Sequence, residues 1–156
     1  MTPARVIDGI AGLKEAAGQE AGVSEWVEVT QEMIDRFADL TGDRQWIHID
    51  RERAERESPF KTTIAHGFLT MSLMSRMVHE AVEVRGEFKL RVNYGFNRLR
   101  FPAPVPAGSR VRGRIGVASV KDVDGGAEVA WNITVEIEGR DKPAVAAEWI
   151  TRMYTA

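Results

Sequence analysis

The chain has 156 residues, of which 44% are apolar and 28% are charged, and its formal net charge is −2 at pH 7. This balance predicts one globular domain spanning residues 1–156 and excludes a disordered or fibrous chain. The scattered basic residues form no stripe that would bind nucleic acid, and no apolar run approaches the roughly 20 residues needed to cross a membrane.

The N-terminal segment predicts a short helical extension at residues 4–18. Apolar residues recur at helical spacing from Ala4 to Ala17, and the stretch from Gly18 to Gly22 then breaks the pattern. The apolar residues within Ser24 to Thr30 alternate imperfectly, and they predict the first strand.

Two further helices are predicted before the longest apolar segment. From Gln31 onward the apolar residues follow the spacing of an amphipathic helix, with Thr30 as its N-cap and Gly42 as its terminator. Asp50 can cap a second helix, which runs through Glu57 and is so rich in charge that we expect its surface to be solvated.

The longest apolar pattern runs from Phe68 to Val84 without proline or glycine, and it predicts a buried central helix. Hairpin signals at residues 124–126 and 138–141 then separate strand-like segments. The predicted strands are Glu87–Phe101, Ser109–Lys121, Ala127–Glu138 and Ala144–Tyr154. This order predicts an α+β fold in which an antiparallel sheet wraps around the central helix. Such a sheet leaves unpaired edges, so we expect two copies to form a symmetric homodimer.

Asp43 and His48 are the first candidates for chemistry, because they lie close together in the segment between two predicted helices. A carboxylate and an imidazole held at one point can add water to an activated alkene by acid–base catalysis. However, an aspartate after a helix-ending glycine is often a turn residue, and a histidine between isoleucines is often a satisfied core residue. The spacing alone therefore leaves both interpretations open.

Gly67 is the second candidate, because it lies where the central helix is predicted to start. The first amides of a helix have no acceptor within it, and the helix dipole there favours negative charge. A thioester oxygen that becomes an enolate could be bound at this point. The alternative is that Gly67 only lets the helix pass a neighbouring strand. We expect the adjacent His66 to bond backbone groups in a structural role.

Two motifs together resemble the MaoC-like, or R-specific, enoyl-CoA hydratases of the hot-dog fold. Thr41–Asp43 followed by Ile47–Asp50 looks like the hydratase motif of that family, and Ile64–Leu69 looks like the motif at the start of its central helix. The segment Asn93–Val105 is similar to the strand and turn that follow the helix in single-domain members. The resemblance covers most of residues 24–154.

The resemblance implies a hydratase that adds water to a trans-2-enoyl thioester of coenzyme A or of acyl carrier protein. Asp43 and His48 would activate the water, and the Gly67 N–H would polarise the thioester carbonyl. Ser75 matches a serine that supports the catalytic pair. Gln45 and Trp46 stand where the family usually has asparagine and proline. We expect Gln45 to orient water or substrate.

Other features limit what else the protein needs. The chain has no cysteine, and His48 already belongs to the acid–base pair, so we expect no metal site and no cofactor. Because no secretion signal is recognisable at the N-terminus, we expect a cytoplasmic protein. Two alternatives remain open: an acyl-CoA thioesterase on the same fold, and a subunit of a hetero-oligomeric 3-hydroxyacyl thioester dehydratase or a nodulation-type relative.

Overall fold

The structure is a computed structural model that describes residues 5–155. Its helices are α1 Gly9–Glu15, α2 Gln31–Thr41, α3 Trp46–Ile49, α4 Arg51–Glu57 and α5 Gly67–Ala81. Its strands are β1 Arg5–Asp8, β2 Gln19–Val23, β3 Val27–Glu28, β4 Val82–Arg85, β5 Phe88–Arg100, β6 Arg110–Val123, β7 Gly126–Ile137 and β8 Val145–Thr155.

The N-terminal segment differs from the helix predicted over residues 4–18. Arg5–Asp8 forms strand β1 and pairs in parallel with β4, so that Ile7 is buried, and only Gly9–Glu15 is helical. Pairing with β4 satisfies the backbone of this segment, and this tertiary contact overrides the helical spacing of its apolar residues. Ala4, where the predicted helix began, lies outside the described residues.

The strand predicted within residues 24–30 is shorter than expected and is preceded by another strand. It is confirmed at Val27–Glu28, and Gln19–Val23 forms the strand before it; both pair antiparallel with β6. Gly22, which was interpreted as part of a break in the helical pattern, instead lies within a strand. A Cβ on Gly22 would lie 2.6 Å from the carbonyl oxygen of Ala81, so glycine lets this strand pass close to the end of α5.

The predicted caps of the two middle helices are confirmed. The Thr30 hydroxyl accepts a hydrogen bond from the Met33 amide at 3.2 Å, and Gly42 ends α2 with φ of +78°. Asp50 accepts a hydrogen bond from the Arg53 amide at 3.0 Å and so caps α4.

The central helix and the sheet form the predicted α+β, hot-dog arrangement. The helix predicted over residues 68–84 starts at Gly67 and ends at Ala81, because Val82–Arg85 turns into β4. Antiparallel strands follow one another across the sheet in the order β2, β6, β7, β8 and β5. The core joins α5 to the inner face of this sheet, and it includes Leu69, Met74, Met77, Val78, Trp131, Ile133 and Val135.

Strand β5 lies at the edge of the sheet. It has 13 residues and pairs with β8 on one side, and no other strand of residues 5–155 pairs with it. Apolar side chains are exposed along it, namely Leu90, Val92, Tyr94 and Phe96.

In the part of the chain that the structure describes, no helix has the length and apolar character that a membrane span requires.

Candidate active site

Asp43 lies in the short connection between α2 and α3, with its side chain exposed. One carboxylate oxygen accepts a hydrogen bond from the Gln45 amide at 3.4 Å, and the Asp43 amide lies 3.4 Å from the Thr41 hydroxyl. Both contacts are long, so they shape the loop more than they neutralise the carboxylate.

His48 lies on α3, and its side chain is 6% exposed. Nδ1 lies 2.7 Å from the carbonyl oxygen of Ile64. Because a carbonyl oxygen only accepts hydrogen bonds, Nδ1 carries the proton and Nε2 keeps its lone pair in the neutral ring.

The surroundings of His48 favour its neutral form. Burial has the largest effect on the pKa of His48 and lowers it below 6.5, while the hydrogen bond to Ile64 raises it. The neighbouring His66 lowers the pKa further, and the Asp43 carboxylate opposes that shift. Above pH 6.5 the ring is therefore neutral, and Nε2 can accept a proton.

His66 stacks on His48, with ring centroids 3.8 Å apart and an angle of 25° between the planes. It is the N-cap residue of α5, and its Nε2 lies 2.9 Å from the carbonyl oxygen of Asp43. Nε2 must therefore carry the proton and donate it, as expected for a histidine that bonds backbone groups. The buried Nδ1 of His66 has no hydrogen-bond partner among the described residues.

A carboxylate oxygen of Asp43 and one ring nitrogen from each of His48 and His66 lie within 4.8 Å of one another. These donor types can bind a transition metal. However, the two rings are stacked, so their in-plane lone pairs do not point at one ion. The arrangement fits an acid–base site better than a shared metal site.

Gly67 is the first residue of α5, and it lines a cavity of about 280 Å³ together with His48. The helix supplies no acceptor for the amide of its first residue, and its dipole favours a partial negative charge there. The ring of Phe101 packs over Gly67, where an added Cβ would lie 3.1 Å from ring carbons. Most of the remaining cavity wall is apolar, including Ile64, Ala65, Ala103, Pro104 and Val105.

Asp43 lies beside His48 but is not part of the cavity wall, and the structure does not bring Gln45 or Ser75 to this cavity either. Gln45 is exposed at the start of α3 and is not part of the cavity wall. Ser75 is also exposed, two turns further along α5, where it lines separate cavities beside Tyr94 of β5. No hydrogen bond joins the Ser75 hydroxyl to Asp43 or His48 within the described residues. The roles expected for Gln45 and Ser75 stay predictions.

Two residues that the sequence did not suggest contact the site. Gln31 donates a hydrogen bond from Nε2 to the carbonyl oxygen of His48 at 2.7 Å, and its Oε1 accepts one from the Thr63 hydroxyl. No spacing rule could predict this contact between distant residues. Thr70 lines the cavity with His48 and Gly67. Thr70 follows Gly67 by three residues, so the two lie on one face of a helix. This spacing could have identified Thr70 from the sequence.

The geometry can be compared with known proteins. Residues 13–138 match the MaoC like domain. The chain is 50% identical over 149 residues to 3-hydroxyacyl-thioester dehydratase Z of Mycobacterium tuberculosis, covering 95% of this chain and 97% of that protein. It is 47% identical over 143 residues to nodulation protein N of Rhizobium leguminosarum bv. viciae, covering 91% and 89%. The solved R-hydratase PhaJ1 of Pseudomonas aeruginosa superposes with a TM-score of 0.70 at 24% identity, covering 95% and 86%.

The hot-dog fold, with a carboxylate and a buried imidazole close together, agrees with a class of enzymes that add water to acyl thioesters or remove it. The chain belongs to the MaoC-like hydratase and dehydratase family, because the domain match covers most of its length. It is therefore a lyase of this class.

Proposed function

We propose that this protein is an R-specific enoyl-CoA hydratase, which adds water to trans-2-enoyl-CoA and in reverse dehydrates 3-hydroxyacyl-CoA. The observation that carries the proposal is that His48 lies between two other groups that the reaction needs. The Asp43 carboxylate lies close to the neutral His48 ring, and His48 shares an apolar cavity with the first amide of α5, that of Gly67. The names of the dehydratase and the R-hydratase that resemble this chain support it.

The reaction follows from the roles these groups can take. The thioester carbonyl accepts a hydrogen bond from the Gly67 amide, and a water molecule lies between the Asp43 carboxylate and His48 Nε2. As the water oxygen bonds to C3, His48 takes a proton, and the electron pair of the double bond moves onto the thioester as an enolate. The helix start stabilises the enolate oxygen. The protonated member of the pair then returns a proton to C2, which completes the addition of water.

The apolar cavity wall suits an acyl chain, and the substrate can be a thioester of coenzyme A or of acyl carrier protein. The most direct test follows the loss of conjugated enoyl-thioester absorbance with crotonyl-CoA and a series of longer analogues. We expect hydration, with (R)-3-hydroxyacyl-CoA as the product on a chiral column. Inactivity of the purified protein on every chain length would overturn the proposal, and release of free thiol instead would favour the thioesterase.

We also propose that the enzyme is a homodimer formed along β5. This edge strand exposes apolar side chains and unpaired backbone groups, and a second copy pairing with it would cover both. Ser75 faces the cavity beside this strand, so the partner would also lie near it.

Two substitutions test the dimer. Val92 of β5 and Val6 of β1 are each 40% exposed, so they form a matched pair. We expect light scattering to give a dimeric mass for the wild type and for Val6→Lys, and a monomeric mass for Val92→Lys. A monomeric wild type would contradict the homodimer. An inactive homodimer that gains activity on addition of a second kind of chain would favour the hetero-oligomeric dehydratase.

A further inference from the structure

The hydroxyl of Thr70 is unusual among the polar groups of the site. Thr70 lies one turn into α5 and is 2% exposed, and its Oγ1 has no hydrogen-bond partner among residues 5–155. Thr70 is also part of the wall of the cavity that His48 and Gly67 line. A buried hydroxyl without a partner destabilises a folded protein, so the place of Thr70 in the wall of this cavity points to a partner from outside the chain.

Other hydroxyl groups in the helices of this protein donate hydrogen bonds to backbone carbonyl oxygens, and the Thr70 hydroxyl does not. A serine or threonine in a helix commonly donates to the carbonyl oxygen four residues earlier. Thr41 donates in this way to Phe37 at 2.7 Å, and Ser72 donates to Phe68 at 2.7 Å. Thr70 makes no such bond to His66, whose carbonyl oxygen accepts hydrogen bonds from two backbone amides instead. The Thr70 hydroxyl is therefore left for a ligand.

The chemistry of the cavity narrows the choice of ligand atom. Within the described part of the chain, His48 and Thr70 are the polar side chains of the cavity wall, and the other side chains there are apolar. An enoyl or saturated acyl group has one oxygen, the thioester carbonyl, and the proposed function assigns this oxygen to the Gly67 amide. A 3-hydroxyacyl group has a second oxygen, on C3. This hydroxyl can donate a hydrogen bond to His48 Nε2, where the proposed function places the water it comes from, and can still accept a second hydrogen bond. Gly67 and Thr70 are neighbours on one helix face, so one small acyl group can reach both.

We propose that the Thr70 hydroxyl donates a hydrogen bond to the C3 oxygen of the 3-hydroxyacyl group, and so makes the site selective for this ligand over an unsubstituted acyl thioester. This inference rests on the proposed function, because it uses the Gly67 amide as the carbonyl site. When an unsubstituted acyl chain binds, the Thr70 hydroxyl stays buried without a partner, and sites of this kind reject such analogues.

The test compares the affinities for (R)-3-hydroxybutyryl-CoA and butyryl-CoA by titration calorimetry. Because the wild type would interconvert the first ligand with its enoyl form, binding is measured in the slow Asp43→Asn background. We expect this protein to prefer the 3-hydroxy ligand. Adding Thr70→Val should reduce the preference by about three- to tenfold, the usual worth of one neutral hydrogen bond. Adding Thr70→Ser, which keeps the hydroxyl, should retain it.

Thr151→Val is a matched control, because Thr151 is also buried but its hydroxyl accepts a hydrogen bond from Trp131 at 2.9 Å. This variant should melt at a lower temperature and keep the ligand preference. Thr70→Val should melt at the same temperature as its parent or higher, because it removes a hydroxyl that lacks a partner. A melting temperature that falls as far as that of Thr151→Val would overturn the inference. If Thr70→Val does not fold, the preference is measured in Thr70→Ala, and an unchanged preference in that variant overturns the inference.

The result separates this inference from the proposed function. If the wild type hydrates crotonyl-CoA but the ligand preference of Thr70→Val is unchanged, the inference fails and the hydratase stands. If the wild type hydrates no enoyl-CoA but prefers the 3-hydroxy ligand in a Thr70-dependent way, the proposed function fails alone. If the protein neither hydrates nor binds these thioesters, both are overturned.

Discussion

The loop that carries Asp43 and the helix start that carries Gly67 differ in how firmly the fold holds them. The Asp43 carboxylate is exposed and accepts a long hydrogen bond from the Gln45 amide, whereas the backbone of residues 64–67 leads directly into the central helix of the core. His48 and His66 join the two regions, because each donates a hydrogen bond to a backbone carbonyl of the other region. The loop thus supplies groups that titrate, while the helix start supplies a fixed dipole.

The largest effect should come from removing the titrating groups of the loop. We expect Asp43→Asn and His48→Gln each to lower kcat for crotonyl-CoA hydration by at least about a hundredfold, because each removes a general acid–base group. His79→Gln is the control, since His79 is exposed on α5 and bonds the Ser75 carbonyl. A folded double variant of Asp43 and His48 with nearly normal turnover would remove both residues from the mechanism.

A change at the helix start should cost less, because the backbone amide remains. In Gly67→Ala the new Cβ would lie 3.1 Å from the Phe101 ring, so the ring must shift at the cavity wall. We expect kcat/KM to fall about tenfold, the effect of a misplacement worth roughly 1.4 kcal/mol. Combining it with Phe101→Leu should restore part of the loss, and the double-mutant cycle measures this coupling. Additive effects of the two substitutions would show that the ring contact does not matter.

The contrast between the two regions also explains what the sequence could predict. Helix α5, the long strands and the caps at Thr30, Gly42 and Asp50 follow from local periodicity and capping rules, which depend on neighbouring residues. The parallel pairing of β1 with β4 and the formation of strand β2 depend on contacts between distant residues, so no local pattern revealed them.

Within the site, the two motifs pointed to candidate residues but not to all of their contacts. The Asp43 carboxylate lies close to His48, and His48 lines one cavity with Gly67. The stacking of His66 on His48 and the bond from Gln31 to the His48 carbonyl depend on how the loop packs on the helix start. A residue type and a spacing do not specify such packing.

Gln31 offers a way to loosen the loop without replacing Asp43 or His48. Gln31→Leu removes the hydrogen bond to the His48 carbonyl and leaves the Thr63 hydroxyl without its acceptor. We expect the free energy of unfolding to fall by about 1–3 kcal/mol, because a buried hydrogen bond is lost. We expect kcat to fall a few-fold, because the orientation of His48 is less fixed. Calorimetric melting and hydration kinetics measure the two effects. Gln19→Leu is the control, because Gln19 is exposed with one long bond to Glu15. Equal results for the two variants would exclude a role for Gln31 in positioning His48.

The smallest effect expected is a shift in pH dependence, and it tests how the two stacked histidines influence each other. Because His48 must be neutral to accept a proton, kcat/KM should decrease with falling pH only below 6.5, as His48 becomes charged. Removing the neighbouring ring in His66→Gln should raise the pKa of His48 and move this decrease to higher pH. An unchanged acid limb in His66→Gln would show that His66 does not influence the charge of His48.

The free energy of unfolding should also depend on the ionisation of His48. The pKa of His48 is lower in the folded protein than its ordinary value of 6.5, so the unfolded chain binds this proton first as the pH falls. The contribution of His48 to stability is therefore fully present above pH 6.5 and is lost as the pH falls through the folded pKa. Denaturant unfolding of wild type and His48→Gln between pH 5 and 8 isolates this contribution, because only the wild type should lose it. If both proteins lose stability equally over this range, the pH dependence originates elsewhere in the chain, and burial of His48 does not keep its ring neutral.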